Sequence, residues 1–354
     1  MAGGTETITR QTEIINASLD KHVKSLIDMK NLPTRLLDNM VREDWDGGDK
    51  IVQPVLLAQD RHSETTELIS GLEEINLDTR PLLDRVEDGW HYAVRPAAIS
   101  GFEEKKTANT MQKIVDLLET RMTDCWRGMH TEHQDQIVFG GQTGWSAYNT
   151  LNGVDFTGAN GGFLEAAAPG AQSNTIHGKS RASFTGALHF QNHFQNLGGA
   201  FSTNALLALS QMELDIEDLY KEAIRSGGSV GKPMLYASKN FIKFLKKVTE
   251  ANVQYTGEGD RNPGGRVLKY GFWDIELLSL PQSGTNTTAN PVSAIVLDHE
   301  ACKIFKHPKC YYDFTELYDL RPHFDIKVKL LSVMSQLIMP VAGTSGIITN
   351  GEVY

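Results

Sequence analysis

Two histidine–cysteine pairs, His299-x-x-Cys302 and His307-x-x-Cys310, are the side chains in this sequence best suited to hold a metal. Imidazole and thiolate are zinc ligands, and two closely spaced pairs can close a tetrahedral site, which would make a metal-dependent enzyme one reading of the chain. Against it, the Lys303 to Lys306 spacer is short and matches no standard finger, and a reduced cysteine often serves as a small buried hydrophobe. A second histidine pair sits in the tandem His189-Phe190-Gln191-Asn192-His193-Phe194-Gln195-Asn196. On a helix His189 and His193 would share a face at chelating distance, but no third ligand is adjacent, which leaves a surface or interface pair as the alternative. Lys239, Lys243, Lys246 and Lys247 form a basic cluster opposite the apolar face of their helix, either a solvated face or a contact for nucleic acid. No nucleophile elbow, phosphate loop or dinucleotide fingerprint occurs, so the chain reads as no enzyme and calls for no cofactor.

The chain has 354 residues, enough for two or three bodies with their own cores, and its 40% hydrophobic and 22% charged content is that of a folded protein. A net charge of −10 argues against a surface built to grip nucleic acid. Three cysteines, Cys125, Cys302 and Cys310, are too few for a disulfide framework and point to synthesis in a reducing cytoplasm. Met1 to Arg10 is no secretory leader, and no apolar run approaches a membrane span, so neither secretion by a signal peptide nor a bilayer anchor is expected.

Residues 1–42 read as an arm. Ile14, Ile15, Leu19, Val23, Leu26 and Ile27 recur at helical spacing, Pro33 interrupts, and Leu36, Leu37, Met40 and Val41 make a second amphipathic piece that needs a surface to cover it. From 43 to 100 the chain carries 13 acidic and 5 basic residues, so that −8 of the net charge of −10 sits in one insertion. Ile51 to Leu57 is the first strand of a two-stranded ribbon. The second carries Trp90, Tyr92 and Val94 alternating with His91, Ala93 and Arg95, and a polar tip spans Arg61 to Val86. Pro54 and Pro96 suit strands with free edges. An isolated ribbon is marginal in water, so it is expected to rest on a neighbour, and its acidity would steer it onto basic surfaces.

One long helix, about 102 to 138, comes next. Met111, Ile114, Val115, Leu118, Met122, Cys125, Trp126 and Met129 form its apolar stripe, Gly128 is a point where it can loosen, and Gly140-Gly141 ends it. Residues 140–200 read as an extended crossing rich in Gly, Ser and Asn. A helix runs from 203 to the stop at Gly227-Gly228, then a strand at Met234 to Ala237 leads to a second helix capped by Ser238. Strands are predicted at Val267 to Leu280 and Ser293 to Asp298, and a long one from Phe324 through Ile326, Val328 and Leu330 toward Met339.

This order of elements resembles the major capsid protein of tailed bacteriophages, the Hong Kong 97-type fold, over nearly the whole chain. The collinear matches are Trp90 to Ile99 with Gly101-Phe102 entering the long helix, Phe139-Gly140-Gly141 after it, Leu151-Asn152-Gly153-Val154 followed by Thr175 to Arg181, Pro233 to Ser238, and Pro340 to Gly351. The resemblance implies an α+β chain: an N-terminal arm at 1–42, an extended β-ribbon loop at 43–99, a peripheral domain with the spine helix at 100–203, an axial domain at 204–304, and a peripheral return strand with closing segment at 305–354. It implies a structural viral protein that self-assembles as hexamers and pentamers into the icosahedral shell around double-stranded DNA. Assembly would take place in the host bacterial cytoplasm and the product would be a virion capsid. Its partners would be a portal protein and, where they exist, scaffolding and decoration proteins. Within the same fold an encapsulin-like cargo compartment is the alternative. Glu73, Glu74, Trp90, Tyr92, Val94, Leu36 and Leu37 are then the expected assembly residues. Some members of the family join subunits through a loop lysine and a neighbour's asparagine, but residues 51–99 contain no lysine, so no such link is implied here. The arm is also too short for the large cleavable scaffolding domain of some relatives.

Overall fold

The computed structural model describes residues 35–56, 83–100, 111–145, 147–151, 162–168, 171–173, 175–181, 191–196, 233–242, 268–270, 273–278, 292–319 and 326–349. In chain order come α1 (Arg35–Asn39), β1 (Val41–Asp44), β2 (Lys50–Leu56), β3 (Leu83–Gly89), β4 (His91–Ser100) and the long helix α2 (Met111–Phe139). After them come β5 (Thr175–Ile176), β6 (Lys179–Ser180), β7 (His193–Asn196), β8 (Pro233–Ala237), β9 (Leu268–Tyr270) and β10 (Trp273–Leu277). The last are β11 (Val292–Asp298), β12 (Lys303–Phe314), β13 (Tyr318–Asp319), β14 (Ile326–Ile338) and β15 (Gly346–Thr349).

The alternation around Ile326, Val328 and Leu330 becomes β14, the 13-residue strand on which the first sheet is built. β12 pairs antiparallel with it through Lys303↔Ile338 to Phe314↔Leu331, and β4 pairs antiparallel along Ser335↔His91 to Ile326↔Ser100. β1 adds in parallel outside β12, and β13 pairs near the start of β14. Within the described residues β4 is an edge strand, which explains how Pro96 is tolerated. α2 shields part of this edge: the Cys125 thiol lies 3.5 Å from the Arg95 carbonyl, and the Arg121 guanidinium donates to the Ala98 carbonyl.

The 29 residues of α2 span about 44 Å. Leu118, Met122, Cys125 and Met129 of the expected stripe are buried in the main core, and Trp126 packs against it. Gly128 does not loosen the helix, which runs through it unbroken. It serves close packing instead, because a Cβ at this position would come within 2.6–2.7 Å of the Arg95 guanidinium. That group lies in the gap and donates to Glu132 Oε1 at 2.6 Å.

The second sheet has the order β7-β15-β11-β8-β10-β9. All seven residues of β11 are buried, as its nearly continuous apolar run requires. The strand predicted over Val267 to Leu280 is two antiparallel strands, β9 and β10. Ser238 caps the helical turn at 239–242 as expected, with its hydroxyl accepting from the Phe241 amide at 3.3 Å.

Two further expectations are corrected by the structure. The ribbon partner of β2 is β3, from Lys50↔Gly89 to Leu56↔Leu83, and the Trp90–Val94 stretch is not its second strand. That stretch begins β4 and belongs to the first sheet. Along β4, His91, Ala93, Ala97 and Ile99 face inward, while Tyr92 and Val94 are 57% and 41% exposed. Finally, Leu36 and Leu37 are not surface assembly residues. α1 buries both completely in the main core, so a short amphipathic helix finds its cover within its own chain.

Candidate assembly surface and its supports

The ribbon is fixed to the body at one end. Ile51 and Val86, on facing strands, join Phe305 and Ile338 in a small apolar cluster flanked by Trp45 and Trp90. The Trp90 indole donates to the Gly48 carbonyl at 2.9 Å, and Gln336 Nε2 donates to the Gly89 carbonyl at 3.0 Å. His177, in the turn between β5 and β6, bonds Asp88 through Nδ1 and accepts the Met339 amide at Nε2 at 3.2 Å. The end of β3 is thereby tied to the end of β14 by one side chain. Residues 57–82 connect the strands at the opposite end. Along the ribbon, Lys50 reaches Glu87 at 3.1 Å and Arg85 reaches it at 2.7 Å, and they hold that carboxyl below its usual range.

Beside this base, the outward face of β4 presents Tyr92 and Val94. A cavity of about 430 Å³ opens there, lined among others by Arg95, Met129, Glu132, Gly144 and Trp145. Exposed apolar groups beside a concave site make this face a candidate contact surface. Trp90 is different: it is half-buried, its ring meets His307 edge-on at 6.0 Å, and it serves the ribbon base. Glu73, Glu74, His189, Lys243, Lys246 and Lys247 lie outside the described residues. Lys239 is exposed, and His193 opens β7, an edge strand of the second sheet.

The zinc reading fails on geometry, because the four candidate ligands have separate surroundings. His299 Nε2 is 2.8 Å from the Tyr236 hydroxyl, while His307 Nδ1 accepts from the Lys309 amide at 3.3 Å. Cys302 is buried in the core, and the Cys310 thiol lies 3.3 Å from Ser332 Oγ. Among the described residues no three such groups converge on a metal position. Burial lowers His299 to about 4, raises Cys125 to about 11, and raises Cys302 as well. A thiol-specific disulfide reagent at pH 8 is therefore expected to leave Cys125 and Cys302 unmodified in the folded chain and to modify both after denaturation, read by absorbance and peptide mapping.

The sequence reading missed a buried polar hub. Arg181, in the passage after α2, donates from Nη1 to Gln172 Oε1 at 2.7 Å and to Asn192 Oδ1 at 2.6 Å, and from Nη2 to the Phe163 carbonyl. Asn192 donates to the Glu165 carbonyl at 3.0 Å, and both Glu165 oxygens accept the Ser173 amide. Burial lowers the guanidinium to about 10, with Glu165 opposing the shift. Three stretches of irregular backbone are cross-braced here. The clue available in sequence was an arginine in a passage otherwise short of charge.

No family model matches the chain, and no curated protein does. Solved structures do match over almost the full length. The capsid of an empty GTA particle aligns over 90% of this chain and 96% of its own, with 12% identity and a TM-score of 0.55. The cyanophage A-1(L) capsid subunit aligns over 92% and 95%, with 13% identity and a TM-score of 0.58. A chain from Mycobacterium phage Bobi aligns over 92% of both, with 12% identity and a TM-score of 0.52. At such low identity the agreement concerns the path of the chain, and it joins what the geometry displays: a helix of 29 residues laid on a sheet, a clamped two-stranded ribbon, and a second sheet of six strands. The chain has the Hong Kong 97-type capsid fold.

Proposed function

We propose that this protein is the major capsid subunit of a tailed phage, assembling as hexamers and pentamers into a shell that encloses double-stranded DNA. The observation that carries the reading is the end-to-end alignment, which covers at least nine-tenths of this chain and of capsid subunits alike. In this reading residues 1–42 are the arm, 43–99 the extended loop, 100–203 and 305–354 the peripheral body and 204–304 the axial body. A portal protein, and scaffolding or decoration proteins, are the partners. The face of Tyr92 and Val94 is covered by a neighbouring subunit, and Glu73 and Glu74 meet basic groups there. Shells of this kind rest on large areas buried between subunits.

Negative-stain microscopy of the purified chain tests the proposal, with closed shells the expected result and a monodisperse monomer at all concentrations the refuting one. Nuclease-protected DNA in particles from infected cells separates a virion from a cargo compartment. The double variant Tyr92→Asp with Val94→Asp is expected to keep the wild-type circular dichroism spectrum and to lower shell yield at least tenfold. Undiminished assembly would show that this face has no part in the contact.

A further inference from the structure

The first sheet and α2 enclose three histidines that nothing in the assembly reading uses. His133 stacks on Trp145 at 4.6 Å with rings 17° apart, and His91 stacks on the same indole at 5.2 Å and 27°. One turn earlier on α2, His130 stacks on Trp126 at 4.8 Å and 21°. Tyr148 meets both His91 and His133 edge-on, and Tyr312 bonds His133 Nδ1 through its hydroxyl at 2.8 Å. Tyr312 is aimed there by an irregularity in β12, where it adopts a φ of 55° at the second of two register shifts, between Tyr311 and Asp313. All three histidines are buried, and among the described residues His91 Nε2, His130 Nδ1 and His133 Nε2 have no hydrogen-bond partner.

We propose that His91, His130 and His133 form an acid-operated release, whose protonation frees the C-terminal half of α2 and the Trp145–Tyr148 turn from the first sheet. An imidazolium must donate at both ring nitrogens, and each of these rings has one nitrogen buried without an acceptor among the described residues. The groups facing the row from the surrounding elements add to the opposition. From β1, Arg42 repels positive charge on His130 and His133, and the histidines repel one another. From β12, Tyr311 and Tyr312 are held neutral by burial, as is Tyr148 after α2, while Lys306 and Arg42 lie 5.5 and 6.0 Å from the Tyr311 ring. β14 contributes Ser335, and Cys302 lies near Tyr148 as a neutral buried thiol. Favouring protonation are Asp38 of α1, 3.8 Å from His130 Nε2, the indole faces themselves, and a backbone bond between Gly144 and His91. On α2, Glu132 is engaged by Arg95, and Asp135 is raised by burial and by Glu132. Burial outweighs these: it lowers His130 to about 4, His133 well below its ordinary value, and His91 in the same direction.

An unfolded chain protonates these rings near pH 6.5, whereas the folded one protonates His130 only near 4 and holds His133 and His91 below their ordinary value, so acid favours the open form. The stabilising contribution is complete above pH 6.5 and is lost as the pH falls toward 4. For His130 alone the folded-to-open ratio drops on the order of a hundredfold across that window.

The test follows hydrogen exchange of peptides from 128–148 and tryptophan emission in the purified full chain between pH 7.5 and 3.5. The variants His130→Phe and His133→Phe keep a stacking ring and remove the titrating nitrogens. Expected are a loss of protection in these peptides between pH 6.5 and 4 in the wild type, and a transition at least half a pH unit lower in each variant. A transition at the same pH in both would overturn the proposal and assign acid sensitivity to carboxylates such as Asp38 and Asp135. A histidine Cε1 NMR titration of the wild type does not depend on the variants folding. The three resonances are expected to hold their neutral positions down to the transition, and free titration near pH 6.5 in the folded state would refute the proposal.

Discussion

Replacing Arg181 with methionine is expected to destabilise the folded chain by about 3–5 kcal/mol, read as a lowered midpoint of denaturant unfolding. Methionine fills most of the volume but donates nothing. Gln172 Oε1 and Asn192 Oδ1 would each keep only a backbone donor, from the Asn192 and Glu165 amides, the Phe163 carbonyl would lose its guanidinium donor, and the favourable charge interaction with Glu165 would go. Each lost hydrogen bond to the charged guanidinium contributes about 1.5–3 kcal/mol. Arg181→Lys is expected to recover only part of the loss, because an ammonium cannot span three acceptors arranged around a planar fork. A midpoint within error of wild type for the methionine variant would mean that solvent reaches the hub.

Phe305→Ala is expected to cost a similar amount, about 3–5 kcal/mol, and to act in one place. The Phe305 ring is fully buried between Ile51 and Val86 of the ribbon and Ile338 of the body, with Trp45 edge-on at 5.8 Å. Removing it leaves a void where ribbon meets sheet. Amide exchange in β2 and β3 should accelerate well before exchange in β11, which belongs to the other sheet. Uniform acceleration throughout would show that the cluster is not a separate fastening.

Long periodic elements were legible in the sequence because one pattern decides them. The alternation leading to Met339 became β14, and the three-four spacing of Leu118, Met122, Cys125 and Met129 became the buried stripe of α2. The phase of β4 does not follow residue size. Under a closely laid helix the inward positions are filled by Ala93 and Ala97, and Arg95 fits only because Gly128 has no side chain. Tyr92 and Val94 are left outside by the same closeness. The ribbon partner was misassigned because the Leu83–Gly89 stretch is acidic and lacks alternation, so its strand depends on pairing with β2 across the chain. The zinc pattern was a coincidence of spacing. The turn at His299 and the irregular strand after Lys306 send the four side chains to different neighbours. The Arg181 hub had no periodic trace, since its members come from three irregular segments.

The pairing of β4 with β14 sets the order in which this protein can come into being. Ser100 meets Ile326 and His91 meets Ser335, so the strand beneath α2 is synthesised more than 200 residues before its partner. Closing so wide a loop is entropically costly and slow. During translation the apolar stripe of α2 has no completed sheet to lie on until the final tenth of the chain has left the ribosome. A nascent chain therefore carries this stripe without its sheet throughout most of its synthesis, and one terminated before Ile326 lacks the strand that completes the first sheet. The topology acts as a proofreading step on chain length, applied by folding itself before any contact with a second subunit.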